Sequence, residues 1–302
     1  MKTRRIGGLH VSVVGLGCNN FGRRLDANAT AKVVHAAIDA GINFFDTADT
    51  YGATKSEEFV GRALGKKRND VIVATKFGSM IDEARKGARP EYIRKAAQDS
   101  LSRLGTDYID LYQLHKPDPT VPLADTLGAL DELVKAGKVR EIGCSNFSAA
   151  QLQEAEHAVA PGAARFVSLQ NEYSLLHREP EGDVLAECTA LGLGFLPYFP
   201  LANGLLTGKY RKGQQAPEGS RIASGWNENL LNDANLSKVE DYISFAARSG
   251  HTILDLAFSW LVSRPMVASV IAGATKPEQV TANAKAAEWD LSESELEEID
   301  RI

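Results

Sequence analysis

The chain has 302 residues, 44% of them hydrophobic and 24% charged, values that exclude wholesale disorder and admit one large barrel or two modest domains. A formal net charge of −5 argues against non-specific binding to nucleic acid or acidic membranes, which favours a basic surface. Three scattered cysteines, Cys18, Cys144 and Cys188, make no disulfide framework, and neither they nor the six histidines fall at metal-ligand spacing, so no metal and reduced, cytoplasmic thiols are expected.

The N-terminal MKTRRIGGLHVSVVGLG carries early basic residues but no sustained apolar stretch of signal-peptide length. Residues 4–6 and 11–13 flank Gly7-Gly8 and predict a small hairpin. Eight apolar segments then read as strands: 13–17, 44–46, 71–75, 109–114, 139–144, 166–170, 194–198 and 267–272. Most are the apolar or β-branched runs expected of parallel strands buried on both faces. Helical segments alternate with them. Residues 90–104 carry Ile93, Ala97, Leu101 and Leu104 on one face, with Pro90 in the first turn and Gly105 as the stop. Residues 123–136 repeat the pattern, and Ser148 suits the cap of 149–158. Polar residues end the strands at Asp46, Thr75, His115, Cys144, Gln170 and Tyr198, spaced by 29, 40, 29, 26 and 28 residues. A βαβ unit needs roughly 30 residues, so the expectation is one domain over 1–302, a (β/α)8 TIM barrel closed below by the hairpin. A doubly wound open sheet is the alternative. After the seventh strand, 75 residues separate Tyr198 from Gly273, which implies an extended loop and helix insertion with helices at 236–249 and 252–263. Such a loop lies on the face where barrels carry active sites, as a lid or as a variable surface loop. No run of about 18 apolar residues offers a membrane span.

Three strand ends carry groups suited to proton transfer. Asp46 lies in FFDTADTYG with Tyr51 five residues on, Lys76 ends an otherwise apolar run in VIVATKFG, and His115 closes IDLYQLH. Alone, each reads as a cap, an ion-paired lysine or a satisfied histidine. Together they end the second, third and fourth strands, and adjacent strands lie about 4.8 Å apart, so the side chains can converge. A tyrosine phenol has a pKa of about 10, and a nearby ammonium lowers it. A carboxylate keeps that ammonium charged, and a neutral histidine can orient a carbonyl oxygen.

FFDTADTYG, ATKFG and LHKPD, followed by GCSNFS, LQNEYSLL, PYFPLANGLLTGKY and IAGATKPEQVTANA, resemble segments of the aldo-keto reductase superfamily, in the same order and over nearly the whole chain. The resemblance implies a barrel that reduces aldehydes or ketones with a nicotinamide cofactor. It makes Tyr51 the general acid, Lys76 its pKa-lowering neighbour held by Asp46, and His115 the residue that positions the carbonyl. Ser145, Asn146 and Gln170 match positions that bond the nicotinamide carboxamide, beside Asp46, and Tyr198 matches a stacking ring. Gly17, Cys18 and Asn19 match the first loop. Pro200, Leu201, Gly204 and Lys209 match a loop over the pyrophosphate, with Arg221 a second phosphate contact. Gly273, Thr275, Lys276, Gln279 and Asn283 complete the expected cofactor set. Gln279 stands where many relatives have a basic residue, and NADPH is expected over NADH. No GxGxxG occurs, so the dinucleotide is expected to bind without a Rossmann fold. Phe21 and Trp226 are expected as apolar substrate walls beside Tyr51 and His115, and Arg23 and Arg24 as groups for an anionic substituent. The partner implied is a small carbonyl substrate, with oligomeric state left open. Two other readings stand: a nicotinamide-binding regulatory subunit or redox sensor with little turnover, and a Schiff-base aldolase using Lys76.

Overall fold

The computed structural model describes residues 1–220, 222 and 228–302. The chain opens with β1 (Thr3–Ile6) and β2 (Leu9–Ser12), an antiparallel hairpin in which Ile6 faces Leu9 across Gly7-Gly8. There follow β3 (Val14–Gly17), α1 (Ala27–Asp39), β4 (Phe44–Asp46), α2 (Lys55–Leu64), β5 (Ile72–Phe77) and α3 (Pro90–Leu104). Next come β6 (Ile109–Leu114), α4 (Leu123–Lys135), β7 (Val139–Ser145), α5 (Ala149–His157), β8 (Phe166–Gln170) and α6 (Val184–Leu191). The chain ends with β9 (Gly194–Phe195), α7 (Asp233–Arg248), α8 (Ile253–Val262), β10 (Val270–Gly273), α9 (Pro277–Lys285) and α10 (Glu293–Ile299).

Strands β3 to β9 lie side by side in chain order, all parallel, with β10 next to β3. Single parallel bridges, Phe195 with Val267 and Tyr198 with Ile271, join the two ends and close the barrel. The seam is held by Ala268 N–H donating to Phe195 O at 2.8 Å and Ile271 N–H donating to Pro197 O at 3.0 Å. The core has two layers. The barrel interior packs Phe44, Ile72, Ala74, Leu111, Leu196 and Ala268 together with the hairpin's Ile6, Leu9 and Val11, so the hairpin plugs the amino-terminal end. The larger layer lies between the outer faces of the strands and the helices.

Several boundaries differ from the sequence reading, each for a local reason. β5 continues through Lys76 to Phe77 rather than ending at Thr75, because Lys76 finds an anion inside the barrel. The seventh barrel strand keeps regular pairing only over Gly194–Phe195, and Pro197 beyond it has no N–H to give. The last strand begins at Val270, after Val267 and Ala268 have served the seam. α7 starts three residues earlier than expected, since Asn232 accepts the Asn235 N–H and caps it. Pro90, Gly105 and the Ser148 cap stand as expected, Ser148 forming a reciprocal box with Gln151. Among the described residues no helix is long and apolar enough to cross a membrane, and no group of three or more His, Cys, Asp or Glu is placed to hold a metal ion.

Candidate active site

The carboxyl ends of the strands bring the sequence-predicted residues to one end of the barrel. Lys76 is fully buried on β5, where an unpaired ammonium would be very costly. Its Nζ donates to Asp46 Oδ2 at 2.6 Å, to Thr47 O at 2.9 Å and, at 3.4 Å, to the Tyr51 hydroxyl. Asp46 ends β4, and its second oxygen accepts from Gln113 Nε2 at 3.2 Å and Gln170 Nε2 at 2.9 Å. One carboxylate thus gathers donors from β5, β6 and β8, which satisfies it without water. Burial works against the Lys76 ammonium, but Asp46 and Tyr51 outweigh it and hold its pKa above the ordinary value.

Tyr51 sits in a turn of left-handed residues. Gly52, Ala53 and Thr54 have φ of 58°, 52° and 75°. For the two non-glycine residues this conformation costs about 1–2 kcal/mol each, strain stored beside a functional group. Burial raises the Tyr51 phenol above 10, and the Lys76 ammonium pulls it back without reversing the shift. The net direction is opposite to that expected from Lys76 alone, because the partly buried phenol loses more to desolvation than the ammonium returns. Such a phenol stays protonated at neutral pH, the state a proton donor needs. The His115 ring meets it edge to face, with centroids 5.9 Å apart. Burial first, then Lys76 and Lys116, push the imidazole down to about 3, so it is neutral as expected, and its Nδ1 is buried without a partner.

A second network adjoins the first. Ser145 Oγ donates to Gln170 O at 2.6 Å, and Asn146 Nδ2 donates to His115 O at 2.9 Å. The Tyr198 hydroxyl donates to Asn146 Oδ1 at 2.8 Å. Ser145, Asn146, Gln170 and Tyr198 therefore form one cluster continuous with Asp46. Gly17 and Gly273 pair at the ends of β3 and β10, where Gly273 is exposed. A side chain at Gly273 would press on Asn19 Oδ1 and Asn20 Nδ2, each 3.1 Å from the added carbon. Beyond β9, Gly204 has φ 105°, and a carbon there would lie 3.2 Å from the Lys209 ammonium. Asn19 Oδ1 and Asn203 Oδ1 are buried with no partner. Bare glycine backbone, amide oxygens awaiting donors and a nearby lysine fit a nicotinamide dinucleotide laid across the carboxyl ends.

Other expected residues are placed differently. The Cys18 thiol is fully buried against Leu16 O, and burial first, then the Asp46 carboxylate, pushes its pKa well up. Phe21 is a core residue with no exposed surface, so its ring walls no open pocket. Pro200 is buried and Leu201 partly so, while Asn283 is buried on α9. Gln279 Oε1 accepts from Thr275 N–H at 2.7 Å and Thr275 Oγ1 at 3.1 Å, and Lys276 is exposed beside them. Arg23 and Arg24 are exposed. Arg221 and Trp226 lie outside the described residues. The sequence reading missed Gln113. Alternation along β6 puts Leu111, Gln113 and His115 on one face, and a glutamine between an apolar residue and the histidine was the available signal.

The Aldo/keto reductase family model matches residues 13–302. The chain belongs to the aldo/keto reductase family. It is 37% identical over 304 residues to a probable voltage-gated potassium channel subunit beta of Oryza sativa subsp. japonica, covering 95% of this chain and 91% of that protein. It is 34% identical over 313 residues to the aldo-keto reductase YhdN of Bacillus subtilis strain 168, covering 98% and 91%. The solved structure of the glycerol dehydrogenase AKR11B4 from Gluconobacter oxydans superposes with a TM-score of 0.86 at 32% identity, covering 99% of this chain and 94% of that one. This aldo/keto reductase is accordingly an NAD(P)H-dependent oxidoreductase acting on carbonyl or alcohol groups, built on a (β/α)8 barrel.

Proposed function

We propose that the chain reduces an aldehyde or ketone to an alcohol with NADPH, and that Tyr51 is the general acid. The observation that carries this reading is the contact of the Lys76 ammonium with both the Asp46 carboxylate and the Tyr51 hydroxyl. A bound nicotinamide supplies the hydride to the carbonyl carbon. The chain's own residues do the rest. The Tyr51 hydroxyl gives its proton to the carbonyl oxygen as negative charge develops there. Lys76, 3.4 Å from that hydroxyl, stabilises the phenolate left behind. Asp46 keeps Lys76 charged and in place, while Gln113 and Gln170 hold the remaining carboxylate oxygen. His115, neutral with its pKa near 3, orients the carbonyl by a hydrogen bond and is no reservoir of protons at neutral pH. Ser145, Asn146, Gln170 and Tyr198 would hold the nicotinamide, and Lys209 with the loop around Gly204 the pyrophosphate. Exposed Lys276 is the described cation we assign to the 2′-phosphate, since the Thr275 N–H and hydroxyl already donate to Gln279 Oε1. The three cysteines are free and buried, in keeping with a cytoplasmic enzyme.

The name of the Gluconobacter oxydans neighbour, a glycerol dehydrogenase, supports the reverse reaction on a small polyol as well. The name of the Oryza sativa relative, a probable voltage-gated potassium channel subunit beta, supports the alternative of a subunit with little turnover. The intact set of Asp46, Tyr51, Lys76 and His115 favours turnover over that reading. An aldolase is disfavoured because a Schiff-base lysine needs a lowered pKa, whereas Lys76 is held up by Asp46. The test follows absorbance at 340 nm with NADPH, then NADH, against a reactive aromatic aldehyde. Tyr51→Phe should abolish turnover and leave cofactor binding intact. Turnover retained by that variant overturns the assignment.

A further inference from the structure

Helix α2 begins without a side-chain cap, since Thr54 makes no capping bond. Its first N–H groups are spent instead on the Tyr51 turn: Lys55 N–H donates to Gly52 O and Ser56 N–H to Tyr51 O, both at 3.2 Å. The Ser56 side chain is fully buried, and its Oγ donates to Cys18 O at 2.9 Å. That uses its single proton, so the Thr47 hydroxyl, 2.8 Å away and equally buried, donates to Ser56. The Thr47 carbonyl in turn accepts from Lys76 Nζ, and Cys18 N–H donates to Asp46 O at 2.8 Å. The loops tied in this way already touch through backbone. A carbon added to Gly52 would overlap Phe21 O and press on Gly22. One serine thus joins the end of β4, the carbonyl of Tyr51 and the loop after β3.

We infer that Ser56 is a positioning residue for the reaction: it clamps the strained turn of Tyr51 to the Lys76 anchor at Thr47 and to the loop of residues 17–19. This rests on the reading of Tyr51 as proton donor. Without the clamp the left-handed turn relaxes, and the Tyr51 hydroxyl samples positions away from the carbonyl oxygen. A misplacement of about 1 Å costs up to a hundredfold in rate.

The test compares Ser56→Ala, Thr47→Val and Tyr51→Phe in the full chain. Ser56→Ala should slow single-turnover oxidation of NADPH by about tenfold or more, with the half-saturating aldehyde concentration within about threefold. In the protein without cofactor, amide hydrogen exchange over residues 47–57 and 17–22 should rise about tenfold while β6 to β8 stay unchanged. A wild-type single-turnover rate or wild-type exchange in Ser56→Ala overturns the inference. If Ser56→Ala fails to fold, Thr47→Val serves, since it removes only the hydroxyl that feeds Ser56. A loss of about threefold in rate supports the clamp, and no change in rate or exchange refutes it. Full turnover by Tyr51→Phe alone is a different failure, that of the proton donor's assignment.

Discussion

Replacing Asp49 by asparagine should stabilise the fold at pH 8 much more than at pH 5. Asp49 lies between Asp46 and Tyr51, is 1% exposed, and its N–H donates to Lys76 O at 3.1 Å. Neither carboxylate oxygen has a side-chain partner. Around it stand Glu57 on α2, Arg103 and Tyr92 on α3, Tyr112 on β6 and Lys76 on β5. Arg103 is already committed to Glu57, its Nε donating at 2.6 Å, while Thr75 Oγ1 donates to the other Glu57 oxygen at 2.6 Å. Asp49 is therefore a second acid beside a satisfied one, and burial first, then Glu57, raise its pKa from 3.8 to about 7. The sign follows from proton counting. Between about pH 4 and pH 7 the folded chain keeps this proton and the unfolded chain has lost it, so stability falls as pH rises and levels off above 7. At about 1.4 kcal/mol per pH unit, the penalty grows by roughly 2–3 kcal/mol from pH 5 to pH 8. An asparagine side chain at this position cannot ionise and escapes it. Whatever the new amide costs in lost hydrogen bonds applies at both pH values and cancels in the comparison. Urea unfolding of both proteins at pH 5 and pH 8 reads the difference. An equal effect at the two pH values, or a larger gain at pH 5, refutes the reasoning.

Lys76→Met should leave the Asp46 carboxylate buried with amide donors only, costing about 3–5 kcal/mol in urea unfolding, part of which Asp46→Asn should restore in the double variant. The single-turnover rate of the wild-type enzyme should show no inflection from His115 between pH 5 and pH 7, because its imidazole protonates only near pH 3. An inflection near 6.5 that disappears in His115→Gln would refute that. Gln279→Arg should raise the ratio of kcat/KM for NADPH over NADH by about tenfold, since a guanidinium at the start of α9 adds a charge-assisted bond to the 2′-phosphate. An unchanged ratio would place the phosphate elsewhere.

The barrel was legible because its signal is repeated: short β-branched runs about 30 residues apart, each ending in a polar residue, leave few arrangements that bury both faces of every strand. The meeting of Asp46, Tyr51, Lys76 and His115 was legible for a related reason. A lysine inside the run VIVATKFG can be tolerated only beside an anion, and Asp46 at the neighbouring strand end is that anion, 2.6 Å away. What escaped the reading depends on loops meeting. Phe21, in a glycine-rich loop, reads as a surface or pocket residue, yet the close approach of Gly22 to Gly52 folds it into the core. Ser56 carries no sequence signal that singles it out, and its bonds reach Cys18, 38 residues back. Neither periodicity nor spacing encodes such contacts. The Tyr51 phenol shows the same limit in its energetics: the sign of the Lys76 effect follows from charge alone, but the larger effect of burial follows only once the loops around it are placed. The enclosure that raises the phenol also excludes water around Lys76, and in that lower dielectric an ammonium acts more strongly on a developing phenolate. If Tyr51 is the proton donor proposed above, a protonated tyrosine at rest and a stabilised tyrosinate in the transition state are two consequences of one placement beside buried Lys76.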